Sequence, residues 1–175
     1  LYEGTLPGNY HEPHVAELPD GKLVAHIRLQ NMRNDDVNLE ELGLVHFSMM
    51  QTVSTDGGAT WTPVEPLAFH GSPPHLLVHS SGALICVYGY RLEPYGEHAM
   101  ISLDGGESWS YDYVLRDDGP DHDLGYPASV ELGDGSIIHM SRHHTDWVTA
   151  CLFLNDSLYT ASADNTIHEF RVADW

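Results

Sequence analysis

The stretch that decides the fold occurs twice. Residues 54–64 read STDGGATWTPV and residues 102–114 read SLDGGESWSYDYV, so the pattern Ser-x-Asp-x-Gly-x-Thr/Ser-Trp is repeated. Its Asp and Ser side chains are placed to bond nearby backbone N–H groups, and its glycines permit positive φ. The Trp then fills a packing position. The pattern is a structural turn, and a repeated structural turn predicts a repeated structural unit.

Pairs of short apolar strands precede these turns. Residues 12–28, 73–91 and 126–142 each contain a proline near the start, an apolar strand, a tight Asp-Gly or Ser-Gly turn and a second apolar strand. These are hairpin signals. In the first two units a third strand runs into the Ser-x-Asp turn and a fourth strand follows the Trp. Four antiparallel strands per unit are typical of a β-propeller blade, so the predicted fold class is all-β.

The predicted blades cover about residues 11–66, 72–116 and 125–175, so residues 1–175 form one partial propeller. The third unit has strand-like pieces but no Ser-x-Asp turn, which indicates a diverged last blade. Three blades do not close a ring, and closure protects the sheet edges of a propeller. We therefore expect the C-terminal half of a six-bladed propeller, completed by N-terminal blades or by self-association.

Composition argues against several kinds of partner. The chain has 26 Asp and Glu against 7 Lys and Arg, a net charge of −19, which disfavours nucleic acid and anionic membranes. No apolar run approaches the roughly 18 residues that a membrane span needs. The 13 His and 2 Cys lack the spacing of a metal site, so we predict no metal and no cofactor. An acidic ligand would have to be held by a local cluster of the scarce cations.

Chain direction separates the two ends of the predicted blades. The hairpin turns lie at the same end as the Ser-x-Asp turns. The first strands begin, and the second strands end, at the opposite end, where three arginines occupy matching positions. Arginine at a strand end is often a solvated charge, but planar guanidinium forks in register also suit a carboxylate. This second end collects Glu12, His14, Arg28, Ser72, His75, Arg91, Gly125, Tyr126 and Arg142.

The repeated turn is the Asp box. Together with EPHVAELPDGKLVAHIR (12–28) and DLGYPASVELGDGSII (123–138), it resembles the sialidase (neuraminidase) superfamily of the bacterial BNR-repeat type. The resemblance covers about residues 10–142. It implies a glycoside hydrolase that releases terminal sialic acid, or a related acidic sugar, from glycans by a retaining mechanism. Such a site uses a Tyr nucleophile, a Glu that polarises it, arginines on the sugar carboxylate and an Asp acid/base.

Four residues carry the family's site over to this chain. Glu12, Arg28, Arg91 and Tyr126 follow the order and approximate spacing of the family's Glu, second Arg, third Arg and Tyr. The resemblance therefore implies Tyr126 and Glu12 as catalytic and the two arginines as substrate-binding. The alternatives stay open that the Tyr merely packs before a strand and that the Glu caps a turn. No segment matches the first arginine or the acid/base Asp, so the chain would hold half of an active site.

Three further residues are predicted to bind substrate. Arg142 has no equivalent in the family pattern but ends a second strand like the other two arginines. His14 and His75 are expected to hydrogen-bond sugar hydroxyls, although solvated loop histidines are the alternative.

The chemistry of the predicted sugar agrees with a tyrosine nucleophile. Sialic acid carries a carboxylate on its anomeric carbon, so a carboxylate nucleophile would meet a like charge and a neutral phenol is the better attacker. A phenol with a pKa near 10 needs a base within hydrogen-bond reach.

Two other functions stay open. One is a non-catalytic carbohydrate-binding or scaffold propeller, and the other is a different sugar-active enzyme on the same scaffold. The expected partner is a sialylated or other acidic glycan. By analogy with the family, the expected location is secreted or periplasmic.

Overall fold

The computed structural model describes residues 9–30, 41, 44–67, 69–140, 148–154, 157–162 and 167–171. These residues form thirteen β-strands and no α-helix, which confirms the all-β prediction. The strands are β1 (Asn9–Glu17), β2 (Leu23–Gln30), β3 (Ser48–Ser54), β4 (Glu65–Leu67), β5 (Pro74–Val78), β6 (Leu84–Tyr90), β7 (Gly96–Ser102), β8 (Ser110–Arg116), β9 (Ala128–Glu131), β10 (Ile137–Met140), β11 (Val148–Leu154), β12 (Ser157–Ser162) and β13 (Ile167–Arg171).

The strands form open antiparallel sheets in chain order. Strands β1 to β4 make the first sheet and β5 to β8 make the second, each four-stranded. A third sheet pairs β9 with β10, and a fourth joins β11, β12 and β13. Strand β1 packs against β5, β5 against β9, and β9 against β11. The leading strands of successive sheets therefore lie side by side, and none of the described sheets closes on itself.

The main core lies between the first and second sheets. On β6 the alternate residues Leu84, Cys86 and Tyr88 are fully buried, as the two-residue period of a strand requires. Val24 on β2 and Met100 on β7 belong to the same buried cluster. Burying a side chain of this size contributes roughly 1.5–3 kcal/mol to the free energy of unfolding. Burial of this layer is therefore the main interaction that holds the two sheets together.

Both Asp boxes form the turn that the sequence predicts. In the first box Ser54 Oγ donates to Asp56 Oδ1 at 2.8 Å and accepts from Gly58 N at 2.9 Å. Thr60 donates its N–H to Asp56 Oδ1 at 2.9 Å and its hydroxyl to Oδ2 at 2.6 Å. These bonds, the Thr60 hydroxyl first, lower the pKa of Asp56 from 3.8 to about 2.

The second box docks on the first sheet through a polar cluster. Trp109 Nε1 donates to Gln51 Oε1 at 2.9 Å, and Gln51 Nε2 donates to the Gly106 carbonyl at 2.8 Å. His26 Nε2 lies 3.0 Å from the same Gln51 oxygen, and its ring lies 4.9 Å from the indole. The face of the first sheet that carries His26 and Gln51 is therefore covered by the second sheet, and we call it the inner face.

The opposite face of the first sheet, which we call the outer face, is apolar. It carries the residues that alternate with those of the inner face, and it forms a groove of about 350 Å³. The groove is lined by Tyr10, Pro13, Val15, Ala25, Ile27, Thr52, Trp61, Thr62, Pro63 and Val64.

Strand β1 contains a bulge at the end that the sequence analysis assigned to the site. His11 pairs with Arg28 and His14 pairs with His26, so Glu12 and Pro13 together oppose Ile27 alone. Glu12 has φ +48°, which bends the strand locally.

No helix in the described ranges is long and apolar enough to cross a membrane.

Candidate active site

Three side chains from distant parts of the chain meet at one end of the sheets. Tyr126 Oη donates to Glu12 Oε1 at 3.0 Å, and Arg28 Nη1 donates to Glu12 Oε2 at 2.7 Å. Arg28 Nη1 also lies 3.5 Å from Tyr126 Oη. The structure therefore brings together the Glu, the Tyr and one Arg of the predicted site.

Backbone geometry aims the carboxylate and the phenol at each other. Glu12 leaves the β1 ladder at the bulge, and Tyr126 has φ +61° just before β9. The residue before it, Gly125, has φ +109°, and a Cβ there would lie 3.2 Å from the Gly89 Cα. A Cβ on Gly89 would lie only 2.8 Å from the Gly125 Cα. Close backbone contact between these two glycines therefore fixes where the tyrosine projects.

Arg91 sits beside this trio at the end of β6. Its Nε donates to the Ser72 carbonyl at 3.3 Å, and its Nη1 donates to the His122 carbonyl at 3.2 Å. The exposed carboxylate of Asp123 lies 3.6 Å from Nη1. Two backbone acceptors hold the guanidinium in place, and the ion pair with the exposed Asp123 adds little to them.

An aromatic ring joins the two arginines. The Cζ atoms of Arg28 and Arg91 lie 5.2 Å and 5.3 Å from the centroid of the Phe47 ring. Phe47 lies in the turn before β3 and has φ +53°. The sequence does not reveal this residue, because nothing in the letters around it marks a turn that brings an aromatic side chain within reach of two cations.

The non-glycine residues with positive φ gather at this site. Within the described ranges they are Glu12, Phe47 and Tyr126. A positive φ costs of order 1–3 kcal/mol for such residues and persists only where the surroundings enforce it. Such strain is typical of functional sites, so the backbone marks this cluster independently of its chemistry.

Both guanidiniums are buried and incompletely bonded. The side chains of Arg28 and Arg91 are only 8% and 4% exposed. The Nε of Arg28 and the Nη2 of Arg91 are buried without a hydrogen-bond partner. Burial, followed by the charge of Arg28, lowers the pKa of Arg91 below its usual value. Two buried cations with unused donors form a local positive centre in an acidic chain, which suits an anion.

The phenol is held in its neutral form. Burial raises the pKa of Tyr126 above 10, and the hydrogen bond and charge of Glu12 raise it further. Arg28 opposes this rise without reversing it. A neutral phenol that donates to a carboxylate is the state in which the carboxylate can accept its proton.

The structure places the two predicted histidines between sheets. His14 Nδ1 accepts from the Leu76 backbone N–H at 3.2 Å, and His75 Nε2 lies 3.1 Å from both the N and the O of Ser129. Their rings are 4.6 Å apart. Backbone groups of neighbouring strands therefore use these nitrogens, and substrate binding by the two histidines stays a prediction. Arg142 lies outside the described residues.

Within the part of the chain that the structure describes, no group of three or more His, Cys, Asp or Glu side chains could hold a metal ion.

Comparison with known proteins gives the fold. No protein-family model matches the sequence, and no curated protein is recognisably similar to it. One solved structure with a similar fold is a protein of unknown function from Dyadobacter fermentans, 27% identical, with a TM-score of 0.59 over 91% of this chain and 36% of that one. Another is a Hadza microbial sialidase, 16% identical, with a TM-score of 0.50 over 91% of this chain and 34% of that one. The chain spans about a third of either protein, and its fold is sialidase-like.

Proposed function

We propose that this chain carries part of the active site of a sialidase-like glycoside hydrolase that releases a terminal sialic acid, or a related acidic sugar, from glycans. The observation that carries the proposal is the hydrogen bond of 3.0 Å from Tyr126 Oη to Glu12 Oε1, beside two buried arginines. A nucleophile in contact with its base, and a base oriented by a third group, is the arrangement that covalent catalysis needs.

Arg28 and Arg91 would bind the carboxylate of the sugar. Each has a buried donor without a partner, and a carboxylate oxygen is the acceptor that such a donor lacks. The chain has a net charge of −19, so long-range attraction contributes nothing and the contact energy must come from this pair. The two arginines would thus set both the affinity for an acidic sugar and its orientation.

Tyr126 would attack the anomeric carbon. Its oxygen forms the new bond to the sugar while its proton passes to Glu12 Oε1, which already accepts the hydrogen bond. The glycosidic bond breaks, and the leaving oxygen takes a proton from a carboxylic acid for which this sequence shows no matching segment. Because burial and Glu12 keep the phenol neutral, it approaches the carboxylate-bearing carbon without charge repulsion.

We also propose that the sheets are blades of a six-bladed propeller, with boundaries near 11–66, 72–116 and 125–175. The apolar outer face of the first sheet supports this, since its groove is lined almost wholly by apolar side chains. Additional blades, or a second copy of the chain, would cover that face.

Carbohydrate binding without turnover is the second candidate function. The observation that favours it is the pair of buried arginines with unused donors, since these would bind an acidic sugar without any acid to protonate a leaving group.

Hydrolysis of a fluorogenic sialoside by the full-length protein tests the proposal. We expect Tyr126→Phe to lower kcat at least about a hundredfold, because the variant has no oxygen to form the covalent bond. Tyr113→Phe, at a half-exposed position on β8, is the matched control and should leave kcat unchanged. Equal turnover by Tyr126→Phe and wild type rejects the hydrolase. Binding of sialic acid without turnover by the wild type selects the second candidate.

A further inference from the structure

We propose that Phe47 is a positioning residue that holds the guanidinium groups of Arg28 and Arg91 as a pair, and thereby sets the affinity of the site for the acidic group of its ligand. The identity of that ligand rests on the proposed function. The geometry of the pair does not, because it is a property of the free protein.

The ring is shared almost equally between two like charges. The distances from its centroid to the two Cζ atoms, 5.2 and 5.3 Å, are within the range of a cation–π contact. Both guanidiniums are more than nine-tenths buried, so water screens their mutual repulsion poorly. The electron-rich face of one ring offsets part of that repulsion for both cations. An aliphatic side chain of the same size would fill the space but would not attract either charge.

The backbone of Phe47 is tied to the loop that bonds Arg91. The Phe47 carbonyl accepts from the Gly71 N–H at 2.8 Å, and the carbonyl of the next residue, Ser72, accepts from Arg91 Nε at 3.3 Å. The Gly71 backbone packs closely on the Tyr88 ring, because an added Cβ there would lie 2.3 Å from it. Ring and backbone therefore fix the same arginine from two directions.

The positive φ of Phe47 indicates that its surroundings hold the residue in a strained conformation. A residue of this bulk adopts φ +53° only where its surroundings repay the strain. The His46 ring lies 4.1 Å from the Phe47 ring and the His70 ring meets its edge at 6.1 Å, so the phenylalanine is braced on its sides. The side chain is therefore held where it contacts both guanidiniums.

A ring in contact with both arginines could instead block the ligand. The two roles predict opposite results when the ring is removed. If Phe47 positions the arginines, an aliphatic residue weakens binding of an acidic sugar. If Phe47 obstructs them, the same change strengthens it.

Binding of free sialic acid and of its uncharged methyl ester, by calorimetry, separates these outcomes. We expect Phe47→Leu to weaken sialic acid binding about tenfold or more and to leave binding of the ester unchanged. Phe47→Tyr keeps the ring face and should retain wild-type affinity. Tyr113→Leu is the matched control, because Tyr113 is half-exposed on β8 and should not change the acid-to-ester ratio. Equal or tighter binding of the acid by Phe47→Leu overturns the inference.

A second measurement does not depend on the ligand. Nitrogen-15 relaxation of the arginine Nε–Hε groups reports how firmly each guanidinium is held. Both Arg28 and Arg91 should become more mobile in Phe47→Leu and return to wild-type order in Phe47→Tyr. Unchanged order in Phe47→Leu rejects the positioning role. If the wild type binds no acidic sugar but the arginines loosen as expected, the proposed function fails and the role of Phe47 stands.

Discussion

The two Asp boxes have the same internal bonds but different surroundings. Ser102 Oγ donates to Asp104 Oδ1 at 2.7 Å and accepts from Gly106 N at 2.8 Å, within 0.1 Å of the matching distances in the first box. Ser108 bonds the second carboxylate through both its N–H and its hydroxyl, as Thr60 bonds the first. The same local sequence therefore forms the same turn in two different surroundings.

The tryptophans that follow the boxes differ. Trp109 Nε1 donates across the sheets to Gln51, and its ring meets His26. Trp61 Nε1 donates back to the Gly58 carbonyl of its own turn at 3.1 Å, and the residue lines the apolar outer groove. The same motif is thus an anchor between sheets in one copy and the wall of a groove in the other. What lies beside the turn, and not the turn itself, decides which role the tryptophan takes.

Truncating the tryptophans should give the largest difference between the two copies. We expect Trp109→Ala to lower the free energy of unfolding by about 3 kcal/mol, because it removes core packing and a cross-sheet hydrogen bond. Trp61→Ala should cost about 1 kcal/mol, because its ring packs against one sheet only. Urea denaturation of both variants measures the losses. Equal losses would show that the two tryptophans contribute equally to stability, and would contradict the different roles assigned to them.

Acid should weaken the inner face before it weakens either turn. Burial is the main cause that lowers the pKa of His26 from 6.5 to about 4. Between these values the unfolded chain binds the proton and the folded chain does not. The contribution of neutral His26 to the free energy of unfolding, about 3 kcal/mol, is therefore complete above pH 6.5 and is lost as the pH falls toward 4. His75, with its pKa also lowered to about 4, acts in the same window. The Asp56 turn loses stability only below pH 3.8.

Unfolding free energies at pH 7 and pH 4.5 test this window. The free energy of unfolding should fall less between these two pH values in His26→Gln than in the wild type, and the difference should be most of the contribution assigned to His26. An equally steep loss in that variant would assign the acid sensitivity to other groups.

Gln51 should couple to Trp109 and not to Trp61. Gln51→Leu removes the acceptor for the indole N–H and the donor to Gly106, so we expect a loss of about 2 kcal/mol. A double-mutant cycle with Trp109→Phe should give a coupling energy of about 1 kcal/mol, and the same cycle with Trp61→Phe should give about zero. Additive losses with Trp109→Phe would mean that the bond across the sheets contributes nothing.

The serines of the boxes should give the smallest difference. Ser54→Ala and Ser102→Ala each remove a buried hydroxyl with the same partners, so each should cost about 1 kcal/mol and the two losses should agree within about 0.5 kcal/mol. Thermal unfolding of the two variants checks this. A clear gap between them would show that the neighbouring sheet also acts on the turn itself.

The turns and strands could be predicted from sequence because their causes are local. Every bond inside the first Asp box joins residues at most four positions apart, and the apolar alternation of β6 is visible in the letters. The meeting of Glu12, Arg28 and Tyr126 follows from strand direction and from the family resemblance. Their chemical roles stay predictions.

The remaining parts of the site depend on how far each side chain lies from the end of the sheets and on backbone strain. The sequence shows neither of these. Strand direction placed His14 at the same end as Arg28, but His14 pairs with His26, two residues before Arg28 on β2, and its ring lies between sheets. Phe47 could not be foreseen, because a phenylalanine with positive φ contradicts its own local preference.

The bulge in β1 has a consequence for how this site can change. Side chains of a strand alternate between faces, so Tyr10 and Val15, five positions apart, would point to opposite faces of a regular strand. The additional residue at the bulge resets this parity, and both line the same outer groove. Deleting one residue there would remove the kink that turns Glu12 toward Tyr126 and would also move Tyr10 to the inner face of the sheet and His11 to the outer face. The position of Glu12 beside Tyr126 and the packing of the first sheet are therefore linked at this point, and an insertion or deletion cannot alter one and spare the other.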